Sequence, residues 1–290
     1  MNKLSLKREE KQTILLFLSL PLLLLLIFGL LPIGTLIYNS FTDWDGLATE
    51  KNFVGLKNYL TIWQDPVYLQ AFKTNLFYLG SGLLQIVIAL TLAILLATKT
   101  YGKNIFKAVI VFPIMISGVA TSLIFRMFFE PDGSFDQLLH FFHLSKYIRF
   151  WLGDPTVANY TLAFISLWRH LGTSFLLYFA AIQGLPAVYQ KAASLEGANL
   201  WQQTRYIILP NIQTVLKLNF ILLTIGAVSA FEIPLIMTNG SNGTATFLVQ
   251  TMKVAFEQKL VGLGSALAVI MSLFVIGLSY AQHRFQKEAD

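Results

Sequence analysis

The sequence contains no cysteine and few charged residues. None of its 290 residues is Cys and only 12% are Asp, Glu, Lys or Arg, about half the charged share of a soluble domain. Without thiols, the chain has no disulfide framework, no thiolate metal site and no redox dithiol. With 55% apolar residues and a mean hydropathy of +0.62, it also lacks the polar surface that a soluble fold needs. These shortages exclude soluble and disordered proteins and predict a polytopic membrane protein.

Signatures of catalysis and nucleotide binding are also absent. The sequence has no phosphate-binding pattern of Gly, four residues and Gly-Lys-Ser/Thr, no His-Glu-x-x-His and no Gly-x-Ser-x-Gly. His140, His143 and His283 lack carboxylate neighbours at ligand spacing, so we expect no metal site. We therefore expect neither catalytic residues nor a cofactor bound by this chain, which disfavours an enzyme.

Long apolar runs supply the spans. A bilayer core about 30 Å thick needs about 20 apolar residues in helix. Six stretches qualify, and the fold class that they predict is all-α with six transmembrane helices: residues 14–38, 76–98, 108–129, 158–183, 212–237 and 261–280. The first is too long for a signal-peptide core and no small-x-small cleavage site follows it, so we interpret it as a retained span.

The distribution of basic residues predicts the orientation. The N-terminal tail carries Lys3, Lys7, Arg8 and Lys11, and the short loop 99–107 contains three lysines and no acid. Because cytoplasmic loops are enriched in Lys and Arg, both termini are predicted to be cytoplasmic. The outer loops 39–75 and 130–157 are long and carry several aromatic residues. We expect these aromatics either to be anchors at the membrane interface or to belong to a docking surface.

Residues 185–210 are too polar for lipid and too regularly patterned for a loop. Pro186 suits the first turn of a helix, and apolar and small residues then recur at helical spacing. Gly197 favours a bend between two short helices, because glycine costs about 1 kcal/mol inside a continuous helix. Pro210 is expected to stop the second helix and open span five. Periodicity alone also allows an amphipathic helix lying on the membrane.

This segment resembles the EAA motif of ABC importer permeases, which forms their cytoplasmic coupling helix. The positions that match in register are Ala192, Ala193, Gly197, Ala198, Ile207, Leu209 and Pro210, with Glu196 in place of the motif aspartate. Lys191 stands where the motif has its leading glutamate. This charge reversal predicts either a compensating acid on the partner or an asymmetric pair of permeases.

The resemblance narrows to permeases of the maltose-type, carbohydrate-uptake class. Segments 40–44 (SFTDW) and 53–59 (FVGLKNY) are similar to the outer-loop signature of that class, and 74–76 (TNL) to its entry into span two. The resemblance implies a type I ABC importer permease fold, with one permease domain over residues 1–290, a first span at 14–38, a five-span core at 72–284 and a coupling segment at 185–210.

The same resemblance implies a function and partners. It implies half of the translocation pathway for a carbohydrate, in a bacterial cell membrane. The implied partners are a second homologous permease, two copies of a cytoplasmic ATPase that use ATP and Mg, an external solute-binding protein and membrane lipid, without nucleic acid. The alternatives are an ion-driven secondary transporter and an ABC permease for a non-sugar solute such as glycerol phosphate. The first usually shows either inverted repeats with broken helices or a relay of buried carboxylates, and only Glu232 is a plausible buried acid.

Two groups of residues are candidates for function. The implied ATPase contact comprises Tyr189, Lys191, Ala192, Ala193, Glu196, Gly197, Ala198 and Pro210. Ionisable groups at membrane depth normally face a cavity or a partner, and aromatic and planar polar groups together suit sugars. This places Trp168, Arg169, Phe231 and Glu232 on the expected substrate pathway. A purely structural Arg169–Glu232 pair, or an Arg169 that snorkels to an interface, is the alternative.

Overall fold

The computed structural model describes residues 3–98 and 102–287, so Lys99 of the predicted basic loop lies outside the described residues. Its regular elements there are all helical, as the sequence predicts. The π-helical turns are Leu26–Leu30, Thr204–Ile208 and Lys253–Glu257, and a 3-10 turn covers Ser145–Tyr147. The α-helices are α1 (Lys3–Leu25), α2 (Leu31–Asn39), α3 (Lys57–Gln64), α4 (Pro66–Thr98), α5 (Lys103–Met115), α6 (Gly118–Phe128), α7 (Ser134–Phe141), α8 (Ala158–Gln183), α9 (Ala187–Leu195), α10 (Leu200–Gln203), α11 (Leu209–Asn211), α12 (Gln213–Val228), α13 (Glu232–Thr238), α14 (Phe247–Met252) and α15 (Val261–Lys287).

Membrane-spanning helices follow the predicted runs. Within the described residues, four stretches are long and apolar enough to cross a bilayer: Thr13–Asn39, Pro66–Thr98, Gln213–Thr238 and Val261–Gln282. Two bent pairs, α5 with α6 and α8 with α9, pass the same test together. The six predicted spans are reached when each pair counts as one, and α8 has the bounds predicted for span four.

Span three is bent. Helices α5 and α6 meet at 98° across Ile116 and Ser117, whereas the apolar run predicts one continuous span. Both linking residues have extended backbone angles, and the Ser117 hydroxyl accepts a hydrogen bond from the Ala120 N–H, which caps α6. A serine in an apolar run therefore starts a new helix here.

The chain divides into two compact units: Met1–Gln64 with Thr251–Ser272, and Asp65–Gln250 with Leu273–Asp290. In the described part of the first unit, the two outer-loop signature segments pack on each other. The ring of Phe41 lies 6.1 Å from that of Phe53 and 5.5 Å from that of Tyr59. The amide of Asn58 donates to the carbonyl oxygen of Ser40 at 2.9 Å. The signature thus forms a small structured loop outside the spans.

The second unit is organised around helix α8. This helix packs against α4, α5, α12 and α13. Fully buried Ala89 and Ala93 of α4 lie in one cluster with Phe175 and Tyr178 of α8. Since lipid gives helices no hydrophobic drive to associate, small residues that allow close packing are the expected contact chemistry.

Span five is broken at residues 229–231, between α12 and α13. The side chain of Asn75 in α4 donates to the carbonyl oxygens of Ala227 and Val228, both at 2.8 Å, and accepts from the Phe247 N–H at 3.0 Å. Backbone groups inside a membrane must be satisfied within the protein. One buried amide therefore supplies the partners that the interrupted helix no longer provides.

Candidate functional site

The segment after α8 folds into two short helices joined at a glycine. Helix α9 ends at Leu195 with Glu196 as its C-cap, and Gly197 has a left-handed backbone with φ +79°. The Ala198 N–H donates to the Ala193 carbonyl at 2.9 Å, and the Gly197 N–H donates to that of Ser194 at 3.2 Å. These two bonds form a Schellman motif, in which glycine is favoured because other residues strain at positive φ. The predicted bend therefore lies at Gly197.

The second short helix has its own N-terminal cap. The Asn199 side chain accepts from the Gln202 N–H at 2.9 Å, and the Gln202 side chain accepts from the Asn199 N–H at 2.8 Å. This reciprocal capping box fixes the direction of α10. Helical turns then continue from Leu200 to Asn211, one residue beyond Pro210, and α12 of span five begins at Gln213.

Large apolar side chains of this segment face away from the protein. Leu195 is 90% exposed, and Val188, Tyr189, Trp201 and Tyr206 are exposed as well. Lys191 and Glu196 are also exposed. An apolar surface of this kind beside charged groups is typical of a contact with another protein or with lipid headgroups.

Helices α4, α8 and α12 enclose a polar cavity. Gln85 donates to the Ser174 hydroxyl at 2.8 Å, and the Asn219 amide donates to Ser174 at 3.0 Å and to the Tyr178 hydroxyl at 2.6 Å. Gln85, Ser174 and Asn219 line a space of about 160 Å³. Tyr178 lies outside this lining and accepts the hydrogen bond from Asn219. The buried hydroxyl of Tyr78, which also lines this space, has no hydrogen-bond partner within the described chain.

A larger cavity of about 440 Å³ adjoins the break in span five. Arg169 of α8 forms an ion pair with Glu232, the first residue of α13, at 3.3 Å. Their side chains are 21% and 48% exposed. Phe231 lines the same cavity from the break itself. Because α13 starts at Glu232, its carboxylate also lies at a positive helix end.

Gly118 makes this ion pair possible. It is the first residue of α6, immediately after the bend in span three. A Cβ on Gly118 would overlap the Glu232 carboxylate and lie 2.9 Å from Nη2 of Arg169. The bend, the broken helix and the ion pair therefore meet at one point.

A family model described as "Binding-protein-dependent transport system inner membrane component" matches residues 85–289, which is most of the chain. The chain belongs to this family. It is therefore a multi-pass inner membrane permease. The members of its family are the membrane components of binding-protein-dependent transport systems.

Individual relatives agree with this assignment. The permease is 33% identical to "Probable ABC transporter permease protein YurN" of Bacillus subtilis over 273 residues, covering 92% of this chain and 94% of that protein. It is 28% identical to "Diacetylchitobiose uptake system permease protein NgcF" of Streptomyces coelicolor over 272 residues, covering 88% and 77%.

A solved structure confirms the fold. A chain of a bacterial ABC transporter involved in the import of the acidic polysaccharide alginate superposes with a TM-score of 0.85, covering 98% of the permease and 99% of that chain at 18% identity. The predicted type I importer permease fold is therefore confirmed.

Three of the four predicted substrate residues of the permease line the same cavity. Arg169, Phe231 and Glu232 line the larger cavity together. Trp168 lies outside that lining and packs edge-on against Phe125, with ring centroids 5.0 Å apart. The ion pair considered from sequence therefore forms, and the tryptophan supports the neighbouring span.

Several cavity residues of the permease were not singled out from sequence. They are Tyr78 and Gln85 of span two, Ser166 and Ser174 of span four, and Asn219 of span five. A signal was present, because Tyr78 and Gln85 are seven residues apart, and Ser166 and Ser174 eight, which places each pair on one helix face. Polar residues on one face of a span point to a cavity or a partner.

Proposed function

We propose that this permease forms half of the translocation pathway of an ATP-driven importer for a carbohydrate. In this proposal it works with a second homologous permease, two copies of a cytoplasmic ATPase that use ATP and Mg, and an external binding protein. Membership of a binding-protein-dependent family supports the external partner. Relatives named for uptake of diacetylchitobiose and alginate support the substrate class.

The single observation that carries the coupling role is the helix pair joined at left-handed Gly197. It holds Leu195 and Trp201 outward on a polar segment, where a cleft of an ATPase can receive them. Tyr189, Lys191, Ala192, Ala193, Glu196, Gly197, Ala198 and Pro210 belong to this proposed contact. Closure of the ATPase dimer would move the pair and shift the spans between inward-open and outward-open states.

The cavity at the break in span five supports a sugar as substrate. A sugar presents hydroxyl groups to planar polar side chains and C–H faces to aromatic rings. Arg169, Glu232 and Phe231 offer this combination in one space. In this proposal Trp168 acts indirectly, by fixing α8 against span three.

Co-purification tests the assembly. The chain, gently solubilised from its native membrane, should recover an ATPase, a second six-span protein and a sugar-binding protein. Uptake in proteoliposomes should then be tested with diacetylchitobiose, maltotriose, an alginate oligosaccharide and glycerol 3-phosphate. Uptake of glycerol 3-phosphate alone would refute the carbohydrate assignment. Uptake that collapses with an ionophore and survives ATP depletion would show a secondary transporter.

Gly197 variants test the coupling role. Gly197→Leu should abolish stimulated ATP hydrolysis and uptake, while membrane insertion stays normal, because leucine is strained at φ +79°. Gly197→Asn is the matched control, since asparagine tolerates the left-handed conformation. Normal uptake by the leucine variant would exclude this role.

A further inference from the structure

A separate cavity of about 520 Å³ lies where span three ends and the outer loop 130–157 returns. It shares no lining residue with the cavity that holds the Arg169–Glu232 pair. Both touch the short helix α13: Glu232 and Ile233 line the inner cavity, and Ile236 to Thr238 line the outer one. At 1.5 Å per residue, the two lining stretches, centred on residues 233 and 237, lie about 6 Å apart along α13.

Hydrogen bonds and ring packing hold the part of the outer loop that adjoins this cavity. The indole N–H of Trp151 donates to the Asp136 carboxylate at 2.8 Å, and the other carboxylate oxygen accepts from the Asp132 N–H at 3.0 Å. Asp136 is buried, and the ring of Phe135 packs 5.0 Å from that of Trp151. With Trp151 held inward, its neighbour Phe150 is 58% exposed and lines the cavity.

The polar groups of the cavity keep hydrogen-bonding capacity. Arg126 and Glu130 lie one helical turn apart, with an Nε–Oε1 distance of 3.8 Å, and both are half exposed. Arg126 Nη1 also donates to the Ile236 carbonyl at 3.5 Å. The Asn242 side chain donates to the Leu152 carbonyl at 3.2 Å. A guanidinium has five N–H donors and an asparagine has two donors and one acceptor, so these contacts leave groups available to a ligand.

We infer that this outer cavity is an entry subsite that captures one ring of the carbohydrate on its way from the binding protein to the inner cavity. Its volume lies within the range of about 300–1,000 Å³ for small-molecule sites. Phe150 offers an aromatic face to the C–H side of the ring, and Arg126, Glu130 and Asn242 face its hydroxyls. The inference rests on the carbohydrate import proposed above and adds a second binding position to it.

The test measures sugar imported per ATP hydrolysed. It uses proteoliposomes that contain the assembled importer and a binding protein loaded with the sugar of the panel that the wild type imports. Phe150→Leu keeps an apolar side chain and removes the aromatic face, and should lower this ratio about twofold to tenfold. Phe150→Tyr should restore it. Phe141→Leu is the matched control, because Phe141 is an exposed aromatic of the same outer loop outside the cavity lining.

The ATPase readout separates capture of sugar from docking of protein. Under this inference, the concentration of loaded binding protein that half-saturates ATP hydrolysis is the same for wild type and Phe150→Leu. A rise in that concentration would overturn the inference and show that the cavity binds the binding protein. An unchanged import ratio in Phe150→Leu would also overturn the inference. Carbohydrate import by the wild type would then remain valid. A wild type that imports no sugar would refute the proposed function itself.

Discussion

Gly118 allows a direct test of the point where span three, span four and the break in span five meet. Replacing it by alanine adds one methyl group that overlaps the Glu232 carboxylate. The carboxylate must move, and the 3.3 Å ion pair with Arg169 is then lost. Arg169 Nη2, 2.9 Å from the new carbon, is the flexible end of its side chain and can shift at lower cost.

The magnitude follows from the exposure of the two partners. Glu232 is about half exposed, so the screened ion pair contributes about 1 kcal/mol. Leaving the largely buried Arg169 without its charged partner costs about 1–3 kcal/mol more. Alanine returns up to about 1 kcal/mol through its higher helix propensity. We expect Gly118→Ala to destabilise the permease by about 1–3 kcal/mol.

Thermal unfolding of the purified permease in detergent measures this effect. Gly80→Ala makes the same change in the middle of α4, where a Cβ meets no side chain of the described residues within 4 Å, and should leave the midpoint unchanged or raised. The decisive comparison uses Glu232→Ala, which removes the group that clashes. Adding Gly118→Ala to that variant should cost almost nothing, since neighbouring changes that share one contact are not additive. Equal costs in both backgrounds would refute the reasoning.

The remaining predictions concern the buried network, the outer loop and the coupling segment. Asn219→Leu removes the interhelical hydrogen bonds with Ser174 and Tyr178 and should lower stability by about 1–3 kcal/mol in thermal unfolding. Thr91→Val should change stability little, because the exposed Thr91 hydroxyl donates to the Val87 carbonyl of its own helix. The Thr156 hydroxyl and N–H donate to Asp154 and hold the pKa of that carboxyl below its usual 3.8. The resulting stabilisation of the folded protein is therefore present above pH 4 and is lost as the pH falls through the lowered pKa. The stabilities of wild type and Asp154→Asn should accordingly differ at pH 7 and converge in acid. Lys191→Glu should change stimulated ATP hydrolysis only modestly if other groups make the main contact, and complete loss would show that the lysine has an acidic partner of its own.

Local features were readable from the sequence. The bounds of α8 and the bend at Gly197 follow from apolar run length and from the conformational freedom of glycine, which depend only on neighbouring residues. The Arg169–Glu232 pair was also open to prediction, because two opposite charges at membrane depth tend to find each other.

Features that depend on how helices rotate and bend were not readable. An apolar run has the same hydropathy whether it is straight or bent by 98°, so the break at Ile116 and Ser117 leaves little signal. The contact of Asn219 with Ser174 joins residues 45 positions apart, and it requires both helices to turn the right faces inward. Trp168 shows the same limit, since its neighbour Arg169 enters the cavity while its own ring turns toward Phe125.

Asn75 restricts which parts of the permease can move against each other during transport. Its amide holds two carbonyls at the end of α12 and the N–H of Phe247 at once. Separating these segments would expose three backbone groups to a dry interior, at roughly 1–3 kcal/mol each. A transport cycle that opens and closes many times would avoid that loss. The outer half of span two, the end of α12 and the start of α14 therefore travel together as one rigid block, and the sliding surfaces of the cycle must lie elsewhere.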